Sequence, residues 1–120
     1  MTVSYGEKFE KAVDYVLANE GGYVSDKNIA TQVFDLSVNL GIRAATIVLQ
    51  RALRAGGINV FEDGLIGPET LSGASILEAP ILLAAIKAEA AGYYRTLAAQ
   101  KPALQRYLNG WLNRAYRKII

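Results

Sequence analysis

Apolar residues recur along the chain at helical spacing, and glycines and prolines separate one stripe from the next. Ser4-Tyr5-Gly6-Glu7 has the form of a capping box, and Phe9, Val13, Val16 and Leu17 follow as one apolar stripe. A first helix is therefore predicted up to Glu20, followed by a polar loop from Tyr23 to Asn28. Ile29, Val33, Leu36 and Leu40 mark a second helix that ends at Gly41, with Asp35 and Asn39 on a shared face. Ala45, Val48, Leu49, Ala52 and Leu53 mark a third, closed by Gly56-Gly57. Ile58 to Ile66 reads as an irregular loop with an Asp63-Gly64 turn signal.

Pro68 at N1 and Glu69 in the first turn open a short fourth helix, predicted to end near Gly73. Pro80 begins a long fifth with the stripe Leu83, Ile86, Ala90, Tyr93 or Tyr94, and Leu97, broken at Lys101-Pro102. Leu104, Leu108, Trp111, Leu112, Ala115 and Ile119 mark the last. Gly110 inside it costs about 1 kcal/mol against alanine, which predicts a close helix contact there. No strand-type alternation, internal repeat or low-complexity segment interrupts this pattern. The prediction is one all-α domain of about six helices.

Composition narrows the chemistry. A chain of 120 residues, 52% hydrophobic and 20% charged, suits one folded domain. A net charge of +2 is too small to point to nucleic acid. With no Cys and no His, thiol and imidazole catalysis, disulfides and the common zinc sites are excluded, and no cofactor is expected. Acid–base work falls to Asp, Glu, Lys or Tyr. Residues 1–11 lack the apolar core of an export signal, and the apolar stretch from Pro80 to Ile86 is too short to span a bilayer.

Within those limits, Asn19-Glu20-Gly21-Gly22-Tyr23 stands out. A glutamate at the negative end of a helix is costly to ionise, and a general acid needs that condition. A solvated glutamate at an ordinary helix end is the plainer alternative. Asp26 could serve as the second carboxylate that glycoside hydrolysis uses, or sit solvated in its loop. Asp35 and Asn39 could line the same cleft or tie neighbouring helices together. Tyr93, Tyr94, Tyr107, Trp111 and Tyr116 could stack on sugar rings or fill the core. Arg114, Arg117 and Lys118 could attract an anionic wall or simply complement the helix dipole.

Several motifs, in order, carry a resemblance: Glu20-Gly21-Gly22-Tyr23; Phe34-Asp35 with Val38, Asn39 and Gly41; Leu49-Gln50 with Ala52 and Leu53; Asp63-Gly64 with Ile66-Gly67-Pro68 and Thr70; and Gly110 to Arg114. In these the chain resembles the N-acetylmuramidases of glycoside hydrolase family 108, lysozyme-like enzymes of phages and bacteria. The resemblance implies cleavage of the β-1,4 bond between N-acetylmuramic acid and N-acetylglucosamine in peptidoglycan. Glu20 would be the catalytic acid, with Gly21, Gly22 and Tyr23 beside the substrate. It also implies a catalytic-type half over 1–55 and a peptidoglycan-binding-like half over 56–120. Such a protein would be made in the cytoplasm and reach the cell wall through a holin or another export route. The chain departs from the family after Tyr23, where Asn28 runs directly into Ile29-Ala30-Thr31-Gln32 and a stretch of cleft wall is missing. A pared-down muramidase and a catalytically degenerate wall-binding or virion-associated protein both fit that pattern.

Overall fold

The computed structural model describes residues 24–116, with side chains from residue 28 onward. The predicted first helix, with Glu20, Gly21, Gly22 and Tyr23, lies outside the described residues, as do Arg117, Lys118 and Ile119. Helix α1 spans Val24–Leu40 and α2 spans Ile42–Ala55. The single residue between them, Gly41, has φ +90°, a left-handed conformation that a glycine adopts without Cβ strain. The polar loop expected from Tyr23 to Asn28 is instead helical from Val24. Asp26 thus lies on α1 and not in a loop.

Helix α2 ends in paired bonds: the Ile58 amide donates to the Leu53 carbonyl at 2.9 Å and the Gly57 amide to Arg54 at 3.0 Å. This is a Schellman termination, and it satisfies carbonyls that the helix end would otherwise leave open. Helix α3 (Pro68–Ile76) follows the loop and runs on past Gly73, where the sequence predicted its end. Packing explains the difference. A Cβ on Gly73 would lie 3.0 Å from Ile58 Cγ2 and 3.4 Å from Leu53 Cδ1, so the glycine serves close approach rather than termination.

Helix α4 (Ala79–Gln100) is the longest described, and it buries Leu82, Ile86, Ala90, Ala91, Tyr94 and Ala98. Ile86, Ala90 and Tyr94 of the predicted stripe are buried, whereas Leu83 and Leu97 are half-buried at its margin with Tyr93, and Leu82 and Ala98 take the buried positions beside them. Beyond Lys101 the chain forms a 3-10 helix over Pro102–Tyr107 and then α5 over Leu108–Ala115. Leu104 therefore stands in the tighter helix and not in the last α-helix. The proline at its start, with no N–H to give, begins a fresh helical segment instead of extending α4.

Helices α1, α2 and α4 pack pairwise, α5 lies against α4, and α3 touches α2 more lightly. Their shared core holds Leu36, Val48, Leu53, Leu82, Ile86 and Tyr94. Among the described residues there is no strand, and the architecture is all-α. No single described helix is long and apolar enough to cross a membrane. Gly110 corrects a further expectation: nothing lies within 4 Å of where its Cβ would be, so no close helix contact occupies the position. Gly110→Ala is expected to stabilise the fold by about 0.5–1 kcal/mol. The gain should appear as a higher urea midpoint at unchanged slope.

Candidate functional site

The loop joining α2 to α3 is held from below by one buried amide. Gln50, on the inner face of α2, is 1% exposed. Its two Nε2 hydrogens are shared among Asp63 Oδ1 at 2.9 Å, the Leu65 carbonyl at 3.1 Å and Thr70 Oγ1 at 3.2 Å. Its Oε1 accepts the Gly64 amide at 3.0 Å. Asp63 Oδ1 also accepts the Leu65 amide at 2.9 Å, closing an Asx-type turn. Gly64 turns there with φ +74°, and a Cβ on it would lie 2.8 Å from Arg43 Cγ. The Leu65 amide and then the Gln50 amide hold the Asp63 carboxyl below its ordinary pKa, against a smaller opposing effect of burial.

This frame shows two apolar side chains to solvent. Val60 is buried, while Phe61 is 76% exposed and Leu65 54% exposed. Glu62, between them, reaches back to Arg51 Nε at 3.2 Å and to Arg54 at 3.8 Å. Such exposed pairs add little stability, but they tether the outer side of the loop to α2. A rigid loop carrying outward apolar groups is a common setting for recognition.

The residues singled out in the sequence separate in space. Asp35 on α1 forms a bidentate pair with Arg114 on α5, at 2.8 and 2.9 Å. Asn39 Nδ2 donates to the Tyr94 hydroxyl on α4 at 2.7 Å. Both side chains thus tie α1 to neighbouring helices. Burial, ahead of all other causes, raises the Tyr94 pKa, and the Asn39 amide opposes it. Gln32 adds a third tie, its amide donating to the Ala115 carbonyl at 3.0 Å.

Tyr94 is fully buried and stacks on Trp111 with ring centroids 5.3 Å apart. Tyr107 continues the stack at 6.0 Å, with the Arg106 guanidinium 4.8 Å from its ring centroid. Of the aromatic group, Tyr94 therefore belongs to the core, whereas Tyr107 and Tyr116 are exposed. The side chain of Asp26 is not among those described. Sequence reasoning missed the role of Gln50, although a polar residue beside the apolar positions Leu49 and Leu53, upstream of Asp63-Gly64, was a usable signal. It also missed Phe61 and Leu65, which carry no local pattern.

Residues 44–116 match the model of a family described as a predicted peptidoglycan domain. The chain belongs to that family and is a peptidoglycan-related protein. The match takes in α2 with Gln50, the Asp63-Gly64 turn, α3, α4 and α5 as far as Tyr116. Comparison with curated proteins and with solved structures gave no significant match.

Proposed function

We propose that the chain engages peptidoglycan through residues 44–116 and hydrolyses it as an N-acetylmuramidase, with Glu20 as general acid. The family match over 44–116 carries the choice of substrate, and the rigid loop bearing Phe61 and Leu65 offers it a contact surface. The hydrolytic part rests on the sequence motif Glu20-Gly21-Gly22-Tyr23, which resembles the motif that holds the catalytic glutamate in glycoside hydrolase family 108. Glu20 would protonate the leaving glycosidic oxygen, while Asp26 would activate water or stabilise positive charge on the ring. Gly21, Gly22 and Tyr23 would lie against the sugar, while Asp35 and Asn39 hold α1 in place through Arg114 and Tyr94. The protein would act at the cell wall, reaching it through a holin or another export route.

One observation favours a second reading, a wall-binding or virion-associated protein without catalysis. Helix α1 is already under way at Val24, so the chain has no stretch between Tyr23 and α1 from which to build the missing cleft wall. Zymography on purified peptidoglycan separates the two, with sedimentation on sacculi as the companion measurement. Glu20→Gln is expected to lower clearing by about 10²–10⁴-fold, the usual worth of a positioned acid, and to leave sedimentation unchanged. Equal sedimentation with no clearing by either protein establishes the second reading instead.

A further inference from the structure

Helices α2 and α4 do not close on each other along their whole length. Between them lies a surface hollow of about 400 Å³, lined from α2 by Arg51 and from α4 by a run of residues around Tyr93. That volume falls within the range of about 300–1,000 Å³ typical of small-ligand sites. We propose that this hollow is a carbohydrate subsite that takes an N-acetylated hexosamine ring of the glycan strand. The proposal rests on the peptidoglycan reading above for its choice of sugar.

The lining has the composition such a ligand requires. Glu89, Tyr93, Thr96 and Gln100 fall at i, i+4, i+7 and i+11, so they form one face of α4. Glu89 and Tyr93 are half-buried and Thr96 and Gln100 exposed, so this face looks out to solvent. Here the face carries one aromatic ring and a series of hydrogen-bonding groups. None of those four side chains has a hydrogen-bond or ion-pair partner among the described residues, in contrast to the fully engaged Gln50. Gly92 keeps the floor open, since a Cβ there would meet nothing within 4 Å.

A pyranose ring presents apolar C–H faces and a rim of hydroxyls, with an acetamide in the N-acetylated case. Tyr93 is half-buried against the core and offers aromatic surface to the hollow. Glu89 can accept two hydroxyl hydrogens, Gln100 can both give and accept, and Thr96 does the same through one oxygen. Arg51 faces them as a donor, its Nε already steadied by Glu62 at 3.2 Å. With Arg51 already paired to Glu62, Glu89 is the charge left facing the hollow, which favours a neutral sugar over a phosphate or a stem-peptide carboxylate. Glu62 is also the neighbour of Phe61, so the hollow and the exposed loop share one braced residue.

The full chain and its Gly92→Leu variant should be titrated with N-acetylglucosamine tetramer, following heat and backbone amide shifts, and sedimented with purified sacculi. The open space at Gly92 lets a leucine plug the hollow without striking the backbone, so the melting temperature should not fall. The expected result is tetramer binding with shifts centred on residues 89–100, weakened at least tenfold by Gly92→Leu. A second variant, Thr96→Ala with Gln100→Ala at two exposed positions, should weaken binding several-fold with the fold intact. Equal affinity of all three proteins, shifts confined to other residues, or binding of a stem peptide in place of the tetramer overturns the subsite. Sedimentation without tetramer binding removes the subsite but keeps the wall reading. Tetramer binding at the hollow without sedimentation keeps the subsite and removes the wall reading.

Discussion

Gln50→Leu is expected to destabilise the protein by about 3 kcal/mol, because it strands buried polar groups without opening a cavity. Leucine nearly matches glutamine in volume, so packing around α2 changes little. What changes is the hydrogen bonding. The Gly64 amide loses its acceptor and Thr70 Oγ1 loses its donor, both in buried bonds. The Leu65 carbonyl and Asp63 lose theirs at the edge of the loop. A lost bond that leaves a buried partner unsatisfied costs about 1–3 kcal/mol, and two such partners account for the figure.

Urea denaturation gives the magnitude, and amide exchange at Gly64 localises it. The variant also carries a pH signature. Asp63 in the folded wild type titrates below its ordinary value, so it contributes stability that is present above that value and is lost as the pH falls through the folded one. Removing Gln50 takes away the second-largest cause of that depression, and the Asp63 carboxyl should move back up toward 3.8. An NMR titration of Asp63 in both proteins that showed identical pKa values would contradict the role given to this amide.

The helices were legible because they rest on a short-range code. Glycines and prolines punctuate the chain, and the stripe Val48, Leu49, Ala52, Leu53 has one helical period and one destination. The misjudged places are those where a tertiary neighbour decides. Gly73 looked like a helix end because local propensity weighs entropy alone, whereas its missing Cβ makes room for Ile58 and Leu53. Gly110 looked like a contact point and is open to solvent. Tyr23 to Asn28 looked like a polar loop, yet the backbone is helical from Val24, because a short polar run has no periodicity that tells a loop from a helix.

The candidate surface was less legible still. Asp35 and Asn39 were visible as neighbours on one face, but their partners Arg114 and Tyr94 lie 79 and 55 residues further on. No local pattern names such partners. Gln50 was visible as a motif residue, while its command of Asp63, Gly64, Leu65 and Thr70 depends on the loop folding back over α2. The hollow beside Tyr93 was hidden for a similar reason. Its opposite wall comes from α2, and a half-polar stripe on one helix does not disclose what faces it.

Leu53→Ala tests the other support of the same loop, through packing alone. Leu53 is fully buried, its Cδ1 lies against Gly73 of α3, and its carbonyl accepts the Ile58 amide that turns the chain out of α2. Truncation removes apolar contacts and leaves a void that cannot readily collapse, since α2 is braced by both α1 and α4. Leucine-to-alanine changes at such sites cost about 2–5 kcal/mol, and about 3–4 kcal/mol is expected here. Against a total of about 5–15 kcal/mol for a domain, that is a large share, and the melting temperature should drop accordingly. The backbone bonds and the Gln50 hub survive the change, however, so the Asp63-Gly64 turn stays formed. At a temperature where both variants are folded, Leu53→Ala should sediment with sacculi like the wild type, whereas Gln50→Leu should not. If the two lose binding in parallel with their stabilities, recognition tracks global folding and the loop has no role of its own.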